Sequence, residues 1–324
     1  MEPSEVIGSL PMKQMKKLGR GLEDFSHLFL SKPEKNEHLT DANHNVVCKG
    51  EGVKPARAIC ITSDKGTGER AFFAVNLALE IAKQGKKVLI FDADFNLPRL
   101  CMLMGVSAHN SILQLITKNG EEKSIVEGID GVKLITLDVD ISDIQSLSEN
   151  ERTSLVKCLK NAEEEAEIIL IVTSPGFINQ MKALLKAVSE IIVVTPQQVA
   201  EMINAYGVIK TIFQFDEDAH VGIVSSRIDA SDQAEAVFGK MQRIVKKFLD
   251  KPLYNYGYIP EDEEVSLSLK RRRPLALTSP SSETMKCITK IAQSILEMNR
   301  NGGEGYSIGE THFSFTERLF DKVC

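Results

Sequence analysis

The stretch at residues 61–100 reads ITSDKGTGERAFFAVNLALEIAKQGKKVLIFDADFNLPRL. It places a glycine-containing turn between an apolar strand and a helix-length segment, and a second strand ending in DAD follows. A turn in this position presents backbone N–H groups to a phosphate at the amino end of the helix. The same turn carries the charged side chains of Glu69 and Arg70. The stretch therefore raises two questions, whether a nucleotide binds here and whether it is hydrolysed.

The alternation of strand and helix continues through the chain. Short apolar runs rich in Ile and Val are typical of strands buried on both faces of a parallel sheet. Six such runs occur: ARAICIT (56–62), KVLIFDA (87–93), VKLITL (132–137), EIILIVT (167–173), EIIVVT (190–195) and HVGIVS (220–225). Helical patterns such as FFAVNLALEIAKQ (72–84) and AEMINAYGVIKTIF (200–213) lie between them. The pattern predicts an α/β fold, a doubly wound, mostly parallel sheet flanked by helices.

Composition shifts divide the chain into three parts. Residues 1–53 form an amphipathic N-terminal segment and a polar linker, and residues 54–298 carry the alternating pattern. Residues 299–324 begin as a Gly-rich stretch and end in a short apolar segment, FSFTERLFDKVC. We expect this tail to be flexible and separate from the core.

The net charge of −6 over 324 residues gives no general attraction to nucleic acid or anionic membrane. Six cysteines occur without a C-x-x-C pair, which favours neither a disulfide framework nor a zinc site. No apolar run reaches the length needed to span a bilayer, and the first residues lack a signal-peptide core. These features predict a cytoplasmic protein, either free or peripheral at the inner face of the membrane.

The loop K-G-T-G-E-R-A at residues 65–71 resembles that of the MinD/ParA family of P-loop ATPases, which reads K-G-G-x-G-K-[ST]. The resemblance implies a nucleotide-binding loop made of Lys65, Gly66, Thr67, Gly68, Glu69, Arg70 and Ala71. Lys65 matches the signature lysine of the family. By contrast, Glu69 replaces a loop glycine, Arg70 replaces the phosphate lysine, and Ala71 replaces the Ser or Thr that binds magnesium.

Each replacement removes part of the expected chemistry. The Glu69 side chain would obstruct a tightly curled backbone, and its carboxylate would repel phosphate. Arg70 keeps a positive charge in a larger, fork-shaped group. Ala71 offers no oxygen to a metal ion.

The D-x-D element of the family is similar to Phe91-Asp92-Ala93-Asp94. The resemblance implies that Asp92 helps to hold Mg²⁺, if the ion binds. It also implies that Asp94 orients the attacking water. Lys65 and Asp94 are the catalytic candidates, if the protein is active. Val172, however, stands where the family has another aspartate. Because metal ions neutralise charge during phosphoryl transfer, we expect weak or absent ATP hydrolysis. Binding of ATP or ADP stays open, and a role for Mg²⁺ is doubtful.

Two longer segments also resemble the family, most closely its FlhG-like flagellar regulators. They are VVTPQQVAEMINAYGVIKTI (193–212) and YGYIPEDEEVSLSLKRRRPLALTSPSS (256–282). The second implies that Pro260 lies at the nucleotide. Ser225 and Ser226 occupy the place of an asparagine that reads adenine in the family, which puts base recognition in doubt.

Both ends of the chain carry amphipathic segments. Leu18, Leu22, Phe25 and Phe29 form one helical stripe after a basic start, so residues 12–30 are predicted either to bind a protein partner, such as an intact MinD/ParA-type ATPase, or to dock on their own core. Near the other end, the apolar face comprises Phe315, Leu319, Phe320 and Val323. It is predicted to pack on the core or a partner, or to make weak membrane contact through residues 313–324.

A basic run, KRRR, lies at residues 270–273. It is predicted to be either a solvated face or a site that binds nucleic acid or lipid. We expect no sequence-specific binding of nucleic acid.

Three functions fit these features. The first is a non-catalytic regulatory or positioning protein that acts through protein contacts. The second is an active or slow ATP switch that works as a homodimer, with Lys65 reaching the opposing nucleotide. The third is a kinase-like transfer enzyme, since DADFNLPRL resembles bacterial tyrosine kinases, although no tyrosine cluster lies near the carboxyl end.

Overall fold

The computed structural model describes residues 55–63, 68–94, 99–106, 126–136, 147–173, 182–298 and 314–320. Its strands are β1 (Arg57–Thr62), β2 (Val88–Ala93), β3 (Val126–Glu127), β4 (Lys133–Thr136), β5 (Ile168–Thr173), β6 (Glu190–Pro196), β7 (Val221–Ile228) and β8 (Tyr254–Pro260). They form one sheet in the order β3-β4-β2-β5-β1-β6-β7-β8, in which only β3 is antiparallel to its neighbour. The predicted doubly wound fold is therefore confirmed. The linker, the 53/54 boundary and the 12–30 segment lie outside the described residues.

Helices cover both faces of the sheet. Within the described residues they are α1 (Glu69–Lys83), α2 (Arg99–Met104), α3 (Glu149–Glu164), α4 (Lys182–Ala187), α5 (Val199–Phe215), α6 (Ser231–Leu249), α7 (Glu263–Arg271), α8 (Leu275–Thr278), α9 (Glu283–Met298) and α10 (Phe315–Phe320). Helices α1, α2 and α7 to α9 pack on one face, and α3 to α6 and α10 pack on the other. No helix among the described residues has the length and hydropathy that a membrane span requires.

All six predicted apolar runs are strands, and every residue of β1, β2 and β5 is buried. The sequence did not predict β8. Only two of the seven residues of this edge strand are buried, so its sequence YNYGYIP lacks a continuous apolar run. Gly257 also interrupts it with a φ of +122°.

Helix α1 leads away from the candidate loop and is held firmly. It lies between the sheet and α9, and residues 70–81 are all buried. The amide of Asn76 donates to the Phe72 carbonyl oxygen at 2.7 Å, and its oxygen accepts from the N–H of Ala276 at 2.8 Å. This buried bridge fixes α8 against α1, so the amino end of α1 has a defined position.

The C-terminal apolar segment belongs to the core, which corrects the expectation of a separate tail. Phe315, Leu319 and Phe320 are buried with side chains of β2, β5, α3 and α4. Glu163 accepts hydrogen bonds from the N–H groups of Phe315 (2.6 Å) and Thr316 (3.0 Å) at the start of α10. Of the three predicted contacts for this apolar face, with the core, a partner or a membrane, the described side chains make the first. Val323 lies outside the described residues.

A buried ion pair joins the amino ends of three strands. Nη2 of Arg57 on β1 lies 2.6 Å from Oε1 of Glu190 on β6, and both side chains are less than a tenth exposed. Tyr256 on β8 donates its hydroxyl to the same carboxylate, and Arg57 also donates to the Ile295 carbonyl of α9. Buried charges require such partners, because leaving one uncompensated is far costlier than forming the pair.

We predict that Glu190→Gln lowers the free energy of unfolding by about 3–5 kcal/mol, because it leaves the Arg57 charge buried without a counterion. Urea denaturation followed by circular dichroism measures this loss. Glu217→Gln is the matched control, since this exposed carboxylate lies 4.0 Å from Lys251 and should change stability by no more than about 0.5 kcal/mol. Equal effects of the two variants would contradict the assigned role of Glu190.

Candidate nucleotide site

The candidate loop enters α1 through Gly68, which has the left-handed φ of +88° that glycine adopts readily. A Cβ atom at this position would lie 3.5 Å from the methyl groups of Leu269 on α7. Residues 64–67, including Lys65, Gly66 and Thr67, lie outside the described residues. The structure therefore places the second half of the loop, Gly68 to Ala71.

Arg70 does not point toward open space. Its Nη2 forms an ion pair with Oδ2 of Asp94 at 2.8 Å, and the two side chains are 5% and 9% exposed. Its Nη1 donates to the Ser63 hydroxyl at 3.2 Å. The residue in the place of the phosphate lysine is thus bound to the carboxylate that the resemblance assigns to catalysis.

Asp92, the other acid of the DAD element, is almost fully buried. Its Oδ1 accepts the N–H of Asp94 at 3.0 Å. Burial raises the pKa of Asp92 to about 8, although the charge of Arg70 works in the opposite direction. Asp92 is therefore mostly protonated at neutral pH, which leaves the charges of Arg70 and Asp94 to balance each other. Burial also lowers the pKa of Arg70, and Asp94 opposes this change.

Glu69 makes a second internal link. Its carboxylate accepts a hydrogen bond from the Ser226 hydroxyl at 3.0 Å and forms an ion pair with Arg227. Arg227 has a φ of +53°, a left-handed conformation that is uncommon for a residue with a side chain. These contacts tie the start of α1 to the end of β7.

The described residues of the site do not fit a magnesium ion. Ala71 and Val172 offer no side-chain oxygen, and Val172 lies opposite Asp92 in the pairing of β2 with β5. Asp92 is buried, and Asp94 is engaged by Arg70. Within the described ranges, no group of three or more His, Cys, Asp or Glu side chains is placed to hold a metal. Hard cations prefer several charged oxygens, so this arrangement is unsuited to Mg²⁺.

A cavity of about 420 Å³ lies beside the loop, between the ends of β7 and β8 and helix α7. Its lining includes Glu69, Ser226, Arg227, Pro260 and Leu269. Pro260 and Ser226 are therefore brought close to the loop, as the sequence resemblance implied. A nucleotide-binding role for Pro260 stays a prediction.

Sequence reasoning missed the partners of the altered loop residues. Ser63 and Arg227 belong to no motif that we recognised, and Arg227 is 158 positions from Glu69. One signal was available in the sequence. Glu69 places an acid where the family loop has a glycine, and Arg227, directly after Ser226, offers the opposite charge. Only the fold shows that these residues meet.

A central parallel strand, a glycine turn, a buried helix and an acidic element at the end of β2, which β5 separates from β1, define the P-loop NTPase class. The AAA domain family matches residues 56–224, more than half of the chain. The chain belongs to this family and is a MinD/ParA-type member close to FlhG-like proteins.

Similar proteins occur in bacteria and archaea. The antiactivator FleN of Pseudomonas aeruginosa is 22% identical over 74% of this chain and 86% of its own length. The flagellum site-determining protein YlxH of Helicobacter pylori is 23% identical over 72% of this chain and 80% of its own. Among solved structures, Pyrococcus horikoshii MinD complexed with Mg-ADP has a TM-score of 0.59 and 19% identity, covering 77% of this chain and 99% of that one.

We predict that Asp92→Asn changes the free energy of unfolding, relative to the wild type, more favourably at pH 9 than at pH 6. The difference between the two pH values should be on the order of 2 kcal/mol. In the wild type, the folded-state pKa lies near 8 against an ordinary value of 3.8. Between these values the unfolded chain binds fewer protons, so wild-type stability falls as pH rises, and asparagine removes this dependence. Urea unfolding at both pH values measures the difference.

The control for this prediction is Asp218→Asn, which changes an exposed carboxylate. It should have the same small effect at both pH values. If Asp92→Asn also behaves alike at pH 6 and pH 9, Asp92 is ionised in the folded protein and the charge balance of the site is different.

Proposed function

We propose that this chain is a cytoplasmic MinD/ParA-type regulatory or positioning protein that acts mainly through protein contacts and does not turn over ATP at a useful rate. The observation that carries the proposal is the buried ion pair between Arg70 and Asp94. It engages the residue in the phosphate-lysine position and the carboxylate expected to orient water. Neither group is available for its family role while the pair exists.

Two costs oppose catalysis at this site. A nucleotide phosphate would have to draw Arg70 away from Asp94, which would leave the buried Asp94 carboxylate without this counterion. The same phosphate would meet the Glu69 carboxylate, which is held by Ser226 and Arg227. The lack of suitable magnesium ligands adds to both effects, because the metal supplies much of the charge stabilisation in phosphoryl transfer.

The names of the relatives support a regulatory role. FleN is named an antiactivator, and YlxH and MinD are named for determining the sites of the flagellum and the septum. A solved structure with a TM-score of 0.57 holds MinD from Aquifex aeolicus in a complex with MinC. By analogy, we propose that this chain controls the placement or number of a cellular structure, a flagellum being the first candidate, by binding another protein.

The rival function is a slow ATP switch that works as a dimer. It is favoured by the retention of Asp92 and Asp94 and by the cavity beside the loop. In this alternative, ATP displaces Asp94 from Arg70, and Lys65 completes the site across the dimer. The two functions differ in whether magnesium-dependent turnover occurs.

We predict that phosphate release from ATP by the wild-type protein is indistinguishable from the buffer background.

The triple change Glu69→Gly, Arg70→Lys and Ala71→Thr should introduce magnesium-dependent nucleotide binding, because it supplies a lysine and a hydroxyl ligand. The affinity should be at least about tenfold higher in the presence of Mg²⁺ than in its absence. Arg70→Lys alone is the control and should not produce this dependence. Calorimetry with ATP and ADP, with and without chelator, measures binding.

Wild-type turnover that requires Mg²⁺ and is abolished by Asp94→Ala would overturn the non-catalytic proposal and favour the switch. Tight wild-type binding that persists with chelator would instead support a nucleotide-bound but inactive protein. In that case Arg70→Met should weaken binding, since the guanidinium is the cation that the described part of the loop retains.

The N-terminal segment supplies the proposed partner contact. We predict that deletion of residues 1–30 changes the melting temperature of the domain by less than about 2 °C, since a stripe used for partner binding stabilises nothing in the core. The deletion should abolish binding to a purified, catalytically intact MinD/ParA-type ATPase in a titration. The double change Leu22→Ser and Phe25→Ser should do the same, whereas Lys13→Ala should weaken binding only modestly. A deletion that unfolds the domain would show that the stripe is part of the core.

A further inference from the structure

Residues 265–282, VSLSLKRRRPLALTSPSS, contain four cations and no acid, although the whole chain carries a net charge of −6. They include the second part of α7, the turn after it and α8. Six exposed residues of this stretch form what we call the basic corner: Leu267, Lys270, Arg271, Arg272, Arg273 and Leu277. None of them belongs to the candidate nucleotide site.

The backbone of the turn presents the cations outward. Arg272 follows the last residue of α7 with φ 54° and ψ 44°, a left-handed conformation that glycine usually supplies at helix ends. Its N–H donates to the Leu269 carbonyl, and the N–H of Arg273 donates to the Ser268 carbonyl at 3.1 Å. These two bonds close the helix end and reverse the chain. Four consecutive side chains, at residues 270–273, are exposed.

The charges of the corner are not neutralised within the fold. In the described part of the chain, none of the four cations takes part in an ion pair. The acids at the start of α7 are two turns of helix away or engaged elsewhere, since Glu264 accepts from Ser279 and Asp262 from Thr284. A positive field therefore persists at this corner.

Two leucines flank the cations. Leu267 on α7 is 37% exposed, and Leu277 on α8 is 41% exposed. A nucleic-acid backbone has phosphates for the arginines but no apolar partner for these leucines. The interface of an anionic bilayer offers phosphate head groups and acyl chains together, and so it fits both kinds of side chain.

We propose that the basic corner is a membrane-contact surface that binds anionic phospholipid head groups through its cations and inserts Leu267 and Leu277 between the lipids. This surface is distinct from α10, whose described apolar side chains are buried in the core. The proposal does not depend on whether the protein binds or hydrolyses ATP. A membrane at this corner would lie close to the altered loop, because Leu269 directly precedes the cations and its methyl groups lie next to Gly68.

The test uses the full chain and vesicle flotation. Wild-type protein should bind vesicles of equal parts phosphatidylcholine and phosphatidylglycerol and should not bind pure phosphatidylcholine. Lys270→Ala with Arg271→Ala should weaken binding about 30-fold, since each cation near an anionic surface contributes about fivefold. The matched control is Lys240→Ala with Arg243→Ala, which removes the same charge from exposed positions of α6 and should change binding by less than about twofold.

A second variant tests the leucines. Leu267→Ser with Leu277→Ser keeps every charge and should abolish the part of vesicle binding that survives high salt, while the melting temperature shows that the domain is folded. Absence of wild-type binding to the anionic vesicles would overturn the proposal, as would equal losses in the corner and control variants. Tighter binding to a random-sequence DNA duplex, lost in the corner variant and unaffected by the leucine variant, would assign the corner to nucleic acid instead.

Discussion

The ion pair between Arg70 and Asp94 determines the state of the whole candidate site. A guanidinium buried at the amino end of α1 requires a counterion, and the carboxylate at the end of β2 supplies it. Burial raises the pKa of the neighbouring Asp92, and the nearby Asp94 carboxylate adds to this change. Arg70, Asp92 and Asp94 thus form one coupled cluster, in which a change at any member alters the others.

The replacements in the loop are mutually compatible. Ser226 and Arg227 hold the Glu69 carboxylate within the fold. The Glu69 carboxylate pairs with Arg227, and Arg70 pairs with Asp94. Each charged residue at these loop positions thus has an oppositely charged partner in the fold.

The sequence predicted the fold well because buried parallel strands have a distinctive composition, and all six Ile- and Val-rich runs are strands. It also located the altered loop positions, since Glu69, Arg70 and Ala71 depart from a local pattern. It could not predict their partners, because Asp94 and Arg227 lie 24 and 158 positions away and meet the loop only in the folded chain. The edge strand β8 escaped prediction because only two of its seven residues are buried and it lacks a continuous apolar run. Docking of α10 on the core was one of the predicted alternatives, and the choice between core, partner and membrane depended on surfaces that meet only in the folded chain.

The docking of α10 has a consequence for how the protein is made. Glu163 is buried, and its hydrogen-bond donor at Phe315 lies 152 positions later in the chain. At ordinary rates of synthesis, that interval lasts about 8 to 30 seconds. During this time Glu163 lacks its partners, and Phe91, which later packs edge-on against Phe315, is uncovered on one side. The nascent domain therefore exposes an apolar surface while it is still on the ribosome, which makes it a client for chaperones that bind such surfaces during translation.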